Sequence, residues 1–374
     1  MIWLILFWAS AGALLYSYAL YPFLLGRITA RRLPHSAAPD RWPSVSILLS
    51  AYNEEKNIAA RLDNLLHLDY PASVEILVGT DGCTDATNDL VRARPDSRLT
   101  LHAFPQRRGK PAVLRDLAGM ARSEVLVFTD AAAVFAPEAL RKLVSHFADP
   151  NIGGVGGEII FYHPGEETTD ENVYWRMETF LRRRESLFDS CLGATGAIYA
   201  IRRELWPDIP ANTLVDDFVV PMRVREQRRR FIYEQEAVAT MKLPPAVGDE
   251  MVRRIRIGAG GFQAMALCWR SLLPWRGLYT WSFWSHKVLR WLGPFFMLGA
   301  LIANFFLLPA PFYVVTMMLQ LLFYLLALAA VVMPRKLVLF SGHHYFVVIN
   351  LALLLGFFRY VTGTQRAAWQ RTAR

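Results

Sequence analysis

Three short apolar runs, each closed by a polar or aromatic residue, constrain this chain most. They are Glu124 to Asp130 (Glu-Val-Leu-Val-Phe-Thr-Asp), Val45 to Tyr52 (Val-Ser-Ile-Leu-Leu-Ser-Ala-Tyr) and Val74 to Asp81 (Val-Glu-Ile-Leu-Val-Gly-Thr-Asp). Apolar runs of this kind, rich in β-branched residues, are those of strands buried on both faces, as in a parallel sheet covered by helices. Each run is followed by a helix-like segment, so the pattern predicts βαβ units. In an open sheet of that kind ligands bind beyond the carboxyl ends of the strands, and Tyr52, Asp81 and Asp130 are therefore expected to converge on one site.

The remaining elements follow in order. Asn53 is placed to cap a helix whose apolar positions are Ile58, Leu62, Leu65 and Leu66, and Thr84 to cap a second short one. A strand is expected at Leu99 to Phe104. Gly109-Lys110 opens a helix carrying Val113, Leu117 and Met120, and Pro137 starts another carrying Leu140, Leu143, Val144 and Phe147. Ile152 to Phe161 reads as a strand, and the charged, aromatic stretch ending at Arg182-Arg183-Arg184 as a helix. These arginines and Arg228 to Arg230 are expected to be solvated or to face lipid. Small residues between Leu192 and Arg203 suit a close backbone approach, and Val215-Asp216-Asp217-Phe218 introduces a helix.

Both ends of the chain are apolar beyond what a soluble core requires, and 53% of all residues are hydrophobic. Ile2 to Leu25 is 24 residues without a charge, enough for a helix to cross about 30 Å of hydrocarbon. Trp291 to Pro334 is 44 uncharged residues broken by Pro309-Ala310-Pro311, which predicts two spans joined by a tight turn; Leu337 to Phe358 is a weaker third. Arg27, Arg31, Arg32 and Arg41 after the first span, Lys287 and Arg290 before the next, and the Arg335-Lys336 pair place the middle of the chain in the cytosol by the positive-inside rule. Arg359 and the arginines beyond it fit that topology less well. The expected organisation is an anchor at 1–26, a linker at 27–43, the α/β domain at 44–261, an amphipathic interfacial segment at 262–290, two or three spans within 291–358, and a basic tail at 359–374. The expected location is the inner (plasma) membrane, with several passes and a cytosolic catalytic domain. Arginines and lysines beside headgroups account for much of the net charge of +9, so no nucleic-acid partner is expected. Cys83, Cys191 and Cys268 lie far apart, which argues against a disulfide framework or a zinc site.

GxGxxG is absent from the first turn and GxxxxGK[ST] from the chain, which disfavours dinucleotides and P-loop ATP hydrolysis. An aromatic to stack on a base, a carboxylate for its edge and a second carboxylate for a hard cation beside a diphosphate suit a nucleotide-sugar donor. The ordered motifs Ser-Ala-Tyr-Asn-Glu-Glu at 50–55, Gly-Thr-Asp-Gly-Cys-Thr-Asp at 79–85, Arg-Gly-Lys at 108–110, Phe-Thr-Asp at 128–130, Gly-Ala-Thr-Gly-Ala at 193–197 and Asp-Asp-Phe at 216–218 resemble those of family 2 glycosyltransferases. With the flanking spans, the resemblance is to the membrane-integrated branch that includes cellulose, hyaluronan and poly-N-acetylglucosamine synthases.

The resemblance implies an α/β, GT-A-like (Rossmann-like, mostly parallel) domain that moves a sugar with inversion from a nucleotide donor, expected to be a UDP-sugar, to a glycan or lipid-linked acceptor. It implies nucleotide contacts from Ser50, Tyr52, Glu54, Asp81 and Lys110. It implies acceptor contacts from Gly193, Thr195 and Gly196, and Mg2+ or Mn2+ at Asp130. Asp217 takes the place of the catalytic base with Asp216 beside it, and Arg253 and Arg256 fall near the diphosphate. Two departures stand out: position 132 is Ala where the DxD motif has its second carboxylate, and Arg253 to Ile257 keeps Arg256 but lacks the Gln and Trp of QxxRW. The second departure argues against processive extrusion of a long polymer. The first is the one feature that favours another reading, a catalytically silent scaffold in a glycan assembly.

Overall fold

The computed structural model describes residues 1–32, 39–162, 173–242, 247–332 and 338–365. Part of the expected linker, Arg335-Lys336 and most of the basic tail lie outside the described residues. The chain divides into two compact units: one of Met1–Arg27, Ala246–Ala266 and Thr280–Gln365, and one of Ile28–Pro245, Leu267–Tyr279 and Arg366–Arg374. The α/β unit thus ends before Arg253 and Arg256, and takes back Leu267–Tyr279 from the stretch expected to be interfacial.

The α/β unit is built on strands β1 (Val45–Ala51), β2 (Val74–Asp81), β3 (Leu99–Phe104), β4 (Val125–Asp130), β5 (Ala133–Phe135), β6 (Ile152–Tyr162), β7 (Ile198–Arg202) and β8 (Arg230–Lys242), in spatial order β3-β2-β1-β4-β7-β6-β8-β5. The four strands β3, β2, β1 and β4 are parallel. β1 and β4 are buried almost throughout, as apolar runs without alternation require. Gly79 in β2 lets the helix Lys110–Met120 lie close, since a Cβ there would run into Val113 and Leu117. In β1, Ser50 stands opposite Gly79 and Asp130, so the predicted strand ends are level with one another. β7 enters antiparallel between β4 and β6, a reversal absent from the expected pattern, and β5 pairs antiparallel with β8.

Two expected helix caps are corrected by the structure. Asn53 adopts a left-handed backbone (φ 52°), exchanges side-chain bonds with Thr84 at 2.8 and 3.1 Å, and leaves the helix Ile58–Leu66 to begin after Asn57. Thr84 likewise caps no helix; the next one, Thr87–Arg92, begins after Ala86. A short polar side chain bonds to whatever amide or hydroxyl is nearest, and here that lies on the neighbouring loop. The segment 267–279 forms 3-10 turns at Trp269–Leu272 and Pro274–Arg276 and is tied to the α/β unit by Ser271 Oγ donating to Glu226 (2.9 Å) and the Tyr279 amide donating to Asp189 (3.1 Å).

Among the described residues three helices are long and apolar enough to cross a membrane: Ile2–Ile28, Pro311–Ala329 and His343–Val361. A fourth crossing needs the pair Leu278–Trp291 and Gly293–Leu307, bent by 61°, to act as one broken span. Between 291 and 334 the chain thus carries Pro311–Ala329 and, as the second arm of the bent pair, Gly293–Leu307, which at 15 residues and about 1.5 Å per residue is short for a bilayer core by itself. Met251 to Ile257 lies within the helix Val247–Leu267, where Arg254 stacks 4.4 Å from the Tyr345 ring. Large side chains such as Leu4, Ile5, Phe305, Met318 and Leu325 are exposed, as lipid-facing positions are.

Candidate active site

One four-residue stretch, Arg107 to Lys110, meets three of the sequence-predicted side chains in turn. The Arg107 guanidinium stacks 3.8 Å from the Tyr52 ring. Asp81, buried at the end of β2, accepts the amides of Arg108 and Gly109, each at 2.7 Å. Lys110 donates to Asp130 at 2.7 Å and approaches the carbonyl of Gly196 at 3.5 Å. The local sequence makes this path. Gly82 (φ +67°) passes so near that a Cβ would sit 2.8 Å from the Arg107 nitrogen, and Gly109 (φ 95°) turns the chain into the helix that begins at Lys110. Ser50 is half-buried beside Asp130 in the sheet register, and Glu54 holds Asn57 at 2.7 Å while its amide donates to Thr87.

Asp216 and Asp217 open the helix Asp216–Glu226. The Gly196 amide donates to Asp217 Oδ2 at 3.2 Å, and the Ala194 amide to the Asp217 carbonyl at 2.7 Å, so the loop 193–197 and the Asp pair form one piece. A Cβ on Gly193 would lie 2.9 Å from the Phe218 ring, and one on Gly196 3.1 Å from Lys110 Nζ. Asp216 is buried and its Oδ2 has no hydrogen-bond partner. Burial raises its carboxyl above the ordinary range; Lys110 opposes this, and Asp217 and Asp130 add to it. Burial alone would lower the Lys110 ammonium, but Asp130, Asp216 and Asp217 together raise it above the usual lysine value. Asp216 is therefore biased towards the neutral form. Asp130, Asp217 and Asp81 are thus carried on connected segments of one site, with Tyr52 joined through Arg107.

Several side chains here escaped the sequence reading. Arg61 is fully buried: it donates to Oγ1 of Thr129, the neighbour of Asp130, at 2.6 Å, bonds Asn64 and lies 4.4 Å from the Phe135 ring. Phe128 is stacked between Tyr199 at 4.4 Å and Trp206 at 5.3 Å. The Tyr199 hydroxyl, buried and unpartnered, has its pKa raised by burial and by Asp216, Asp217 and Asp130. Nothing in the spacing of Arg61 marks it; Arg107 was adjacent to a motif already singled out. Arg182, expected to be solvated, donates to Thr195 Oγ1 at 2.9 Å, and Arg230 donates to the carbonyls of Asp189 and Ser186. Arg253 and Arg256 lie on Val247–Leu267 in the helical unit.

The donor set fits a divalent cation only in a particular way. Among the described residues no three His, Cys, Asp or Glu side chains cluster to hold a metal. Asp130 is a single carboxylate, already bonded to Lys110, and Ala132 offers no side-chain oxygen. Mg2+ and Mn2+ are commonly bound by one or two carboxylates with substrate phosphates and water, so Asp130 suits a cation that arrives with a diphosphate.

A half-parallel sheet of this order, with acidic strand ends and an Asp pair at the mouth, defines the GT-A class of α/β folds. Residues 46–209 match the model of glycosyl transferase family 2. A solved structure of the mannosyltransferase PcManGT from Pyrobaculum calidifontis, in complex with GDP-Man and Mn2+, superposes with a TM-score of 0.76 at 23% identity, covering 97% of this chain and 99% of that one. An N-acetylglucosaminyltransferase of Rhizobium meliloti is 24% identical over 169 residues, 43% of this chain and 39% of that protein. The beta-monoglucosyldiacylglycerol synthase of Synechocystis is 27% identical over 162 residues, 41% of this chain and 33% of that protein. The match thus spans about two fifths or less of the length of these two relatives.

Proposed function

We propose that the protein is an inverting membrane glycosyltransferase that moves a sugar from a nucleoside diphosphate, UDP on the reading of Asp81, to a hydroxyl of a glycan or lipid-linked acceptor in envelope or extracellular polysaccharide synthesis. The observation that carries the proposal is the join between the two halves of the site: Lys110 bonds Asp130, and Gly196, whose carbonyl it approaches, donates its amide to Asp217. Asp217 takes the proton of the acceptor hydroxyl as that oxygen attacks the anomeric carbon, and the bond from that carbon to the diphosphate oxygen breaks. Asp216, biased towards neutrality by burial, stands next to Asp217 in the chain. Lys110 faces the negative charge that grows on the leaving diphosphate. Mg2+ or Mn2+, held by Asp130, would supply further stabilisation of that charge. The diphosphate role of Arg253 and Arg256 rests on their sequence place alone. The apolar helices and flanking arginines support a multi-pass location in the inner membrane with this unit in the cytosol.

The test is a screen of UDP- and GDP-sugars with membranes containing the protein, with the product mass read out. A single added sugar is expected, and a ladder of masses would indicate repeated addition instead. Asp217→Asn is expected to lose transfer by about 10²- to 10⁴-fold, the range of a general base, while still binding nucleotide. A folded Asp217→Asn variant with wild-type transfer would refute the mechanism. Wild-type protein that binds no sugar nucleotide in the presence of Mn2+ would favour the silent scaffold.

A further inference from the structure

Arg61 and Asn64 stand three positions apart on the helix Ile58–Leu66 and reach both ends of the segment that carries Asp130. β4 closes at Asp130 and β5 opens at Ala133, so only Ala131 and Ala132 turn the chain between them. Before the turn, Arg61 donates to Thr129 Oγ1 at 2.6 Å, and the same hydroxyl donates to the Ala197 carbonyl at 2.9 Å. After it, the Asn64 side chain donates to the Phe135 carbonyl and accepts the Phe135 amide, each at 2.9 Å, as a neighbouring strand would. Arg61 also donates to the Asn64 side-chain oxygen and lies 4.4 Å from the Phe135 ring, which joins the two grips.

A guanidinium taken out of water is ordinarily paired with a carboxylate. Among the described residues no carboxylate bonds Arg61; its partners are neutral oxygens, and its Nε has none. Burial pulls its pKa down to about 9, with Asp130 opposing, so it stays charged at neutral pH. An aliphatic side chain would fill the same space without that cost, and the pair is explained instead by what it grips. A second acid at 132 would share the cation and fix the turn on binding, which Ala132 cannot do. Resting on the transferase reading above, we propose that Arg61 and Asn64 are positioning residues: they clamp the turn at 131–132 from both ends and so hold Asp130, the single carboxylate, where a divalent cation arriving with the donor diphosphate meets it.

The experiment titrates the full-length protein in detergent with UDP and with GDP by calorimetry, each with and without Mn2+. The ratio of the two dissociation constants gives the coupling between cation and nucleotide. Mn2+ is expected to tighten the nucleotide that binds. Asn64→Ala, which leaves the Phe135 backbone groups without that partner, should cut the coupling about tenfold, or about 1.4 kcal/mol, while the affinity without Mn2+ changes less than about threefold. Arg61→Lys keeps the charge but not the planar fork, and should cut the coupling about threefold or more. Leu62→Ala, buried on the same helix, controls for stability: it should lower Tm and leave the coupling unchanged. The clamp is refuted if folded Asn64→Ala, or folded Arg61→Lys where the first variant does not fold, keeps the wild-type coupling, or if Leu62→Ala loses as much. Wild-type protein that binds a nucleotide equally well with and without Mn2+ overturns the clamp and leaves the transferase reading in place, whereas wild-type protein that binds neither nucleotide overturns both.

Discussion

Lys110 bears on Asp130, Asp216 and Asp217 at once, which makes Lys110→Met a quantitative test of the site. Its ammonium lies 2.7 Å from Asp130 Oδ1, and its side chain is 21% exposed. At an effective dielectric of about 20 the gross attraction across that distance is roughly 6 kcal/mol. Much of it is offset by desolvation in the wild type, but deleting the cation alone strands the acids, which costs about 3–5 kcal/mol. For a unit of this size that corresponds to a fall of roughly 10 °C in Tm.

The pH dependence separates this electrostatic cause from simple loss of packing. In the wild type the raised lysine contributes fully below the ordinary lysine pKa and fades only as pH rises through its folded value, so its share is constant across neutral pH. In Lys110→Met the folded carboxylates, facing one another without a cation, bind protons more readily than in the unfolded chain. The folded state then holds more protons, and the variant recovers stability as pH falls. We expect a Tm deficit of about 10 °C at pH 8 that shrinks by half or more near pH 5, measured by scanning fluorimetry of wild type and variant in the same detergent. An equal deficit at both pH values, or none, would show that Lys110 does not balance the three acids.

Two further substitutions probe the same cluster. Asp216→Asn removes a buried acid whose folded pKa is raised; such a group favours the folded state at low pH and loses that contribution as pH rises, so the variant should gain about 1 kcal/mol at pH 8 and less at pH 5 in denaturant titrations. Gly196→Ala places a Cβ 3.1 Å from Lys110 Nζ and 3.4 Å from Asp217 Oδ2. It should lower kcat by about tenfold or more through displacement of the base, with donor affinity nearly unchanged; unchanged kcat would mean that the loop does not position Asp217.

The parallel half of the fold was legible because β1, β2 and β4 are buried on both faces, and burial of that kind leaves an unbroken apolar run in the sequence. β8 was not, since Glu234, Gln235 and Glu236 interrupt its pattern where the pairing with β6 shifts register. β7 was missed for a different reason: its five residues follow a glycine-rich loop, and their direction is set by the strands on either side. Asn53 and Thr84 show the same limit at the scale of one bond, because each found its partner on the other's loop. The site divides along this line. Acids at strand ends are visible one at a time, but the push of Asp216 towards neutrality depends on depth and on Lys110, Asp217 and Asp130, far apart in sequence. The same holds for Ala132. In sequence it is a lost metal ligand, whereas in the fold it is half-buried and packs against the cluster of Ala133, Ile159, Ala197 and Met241.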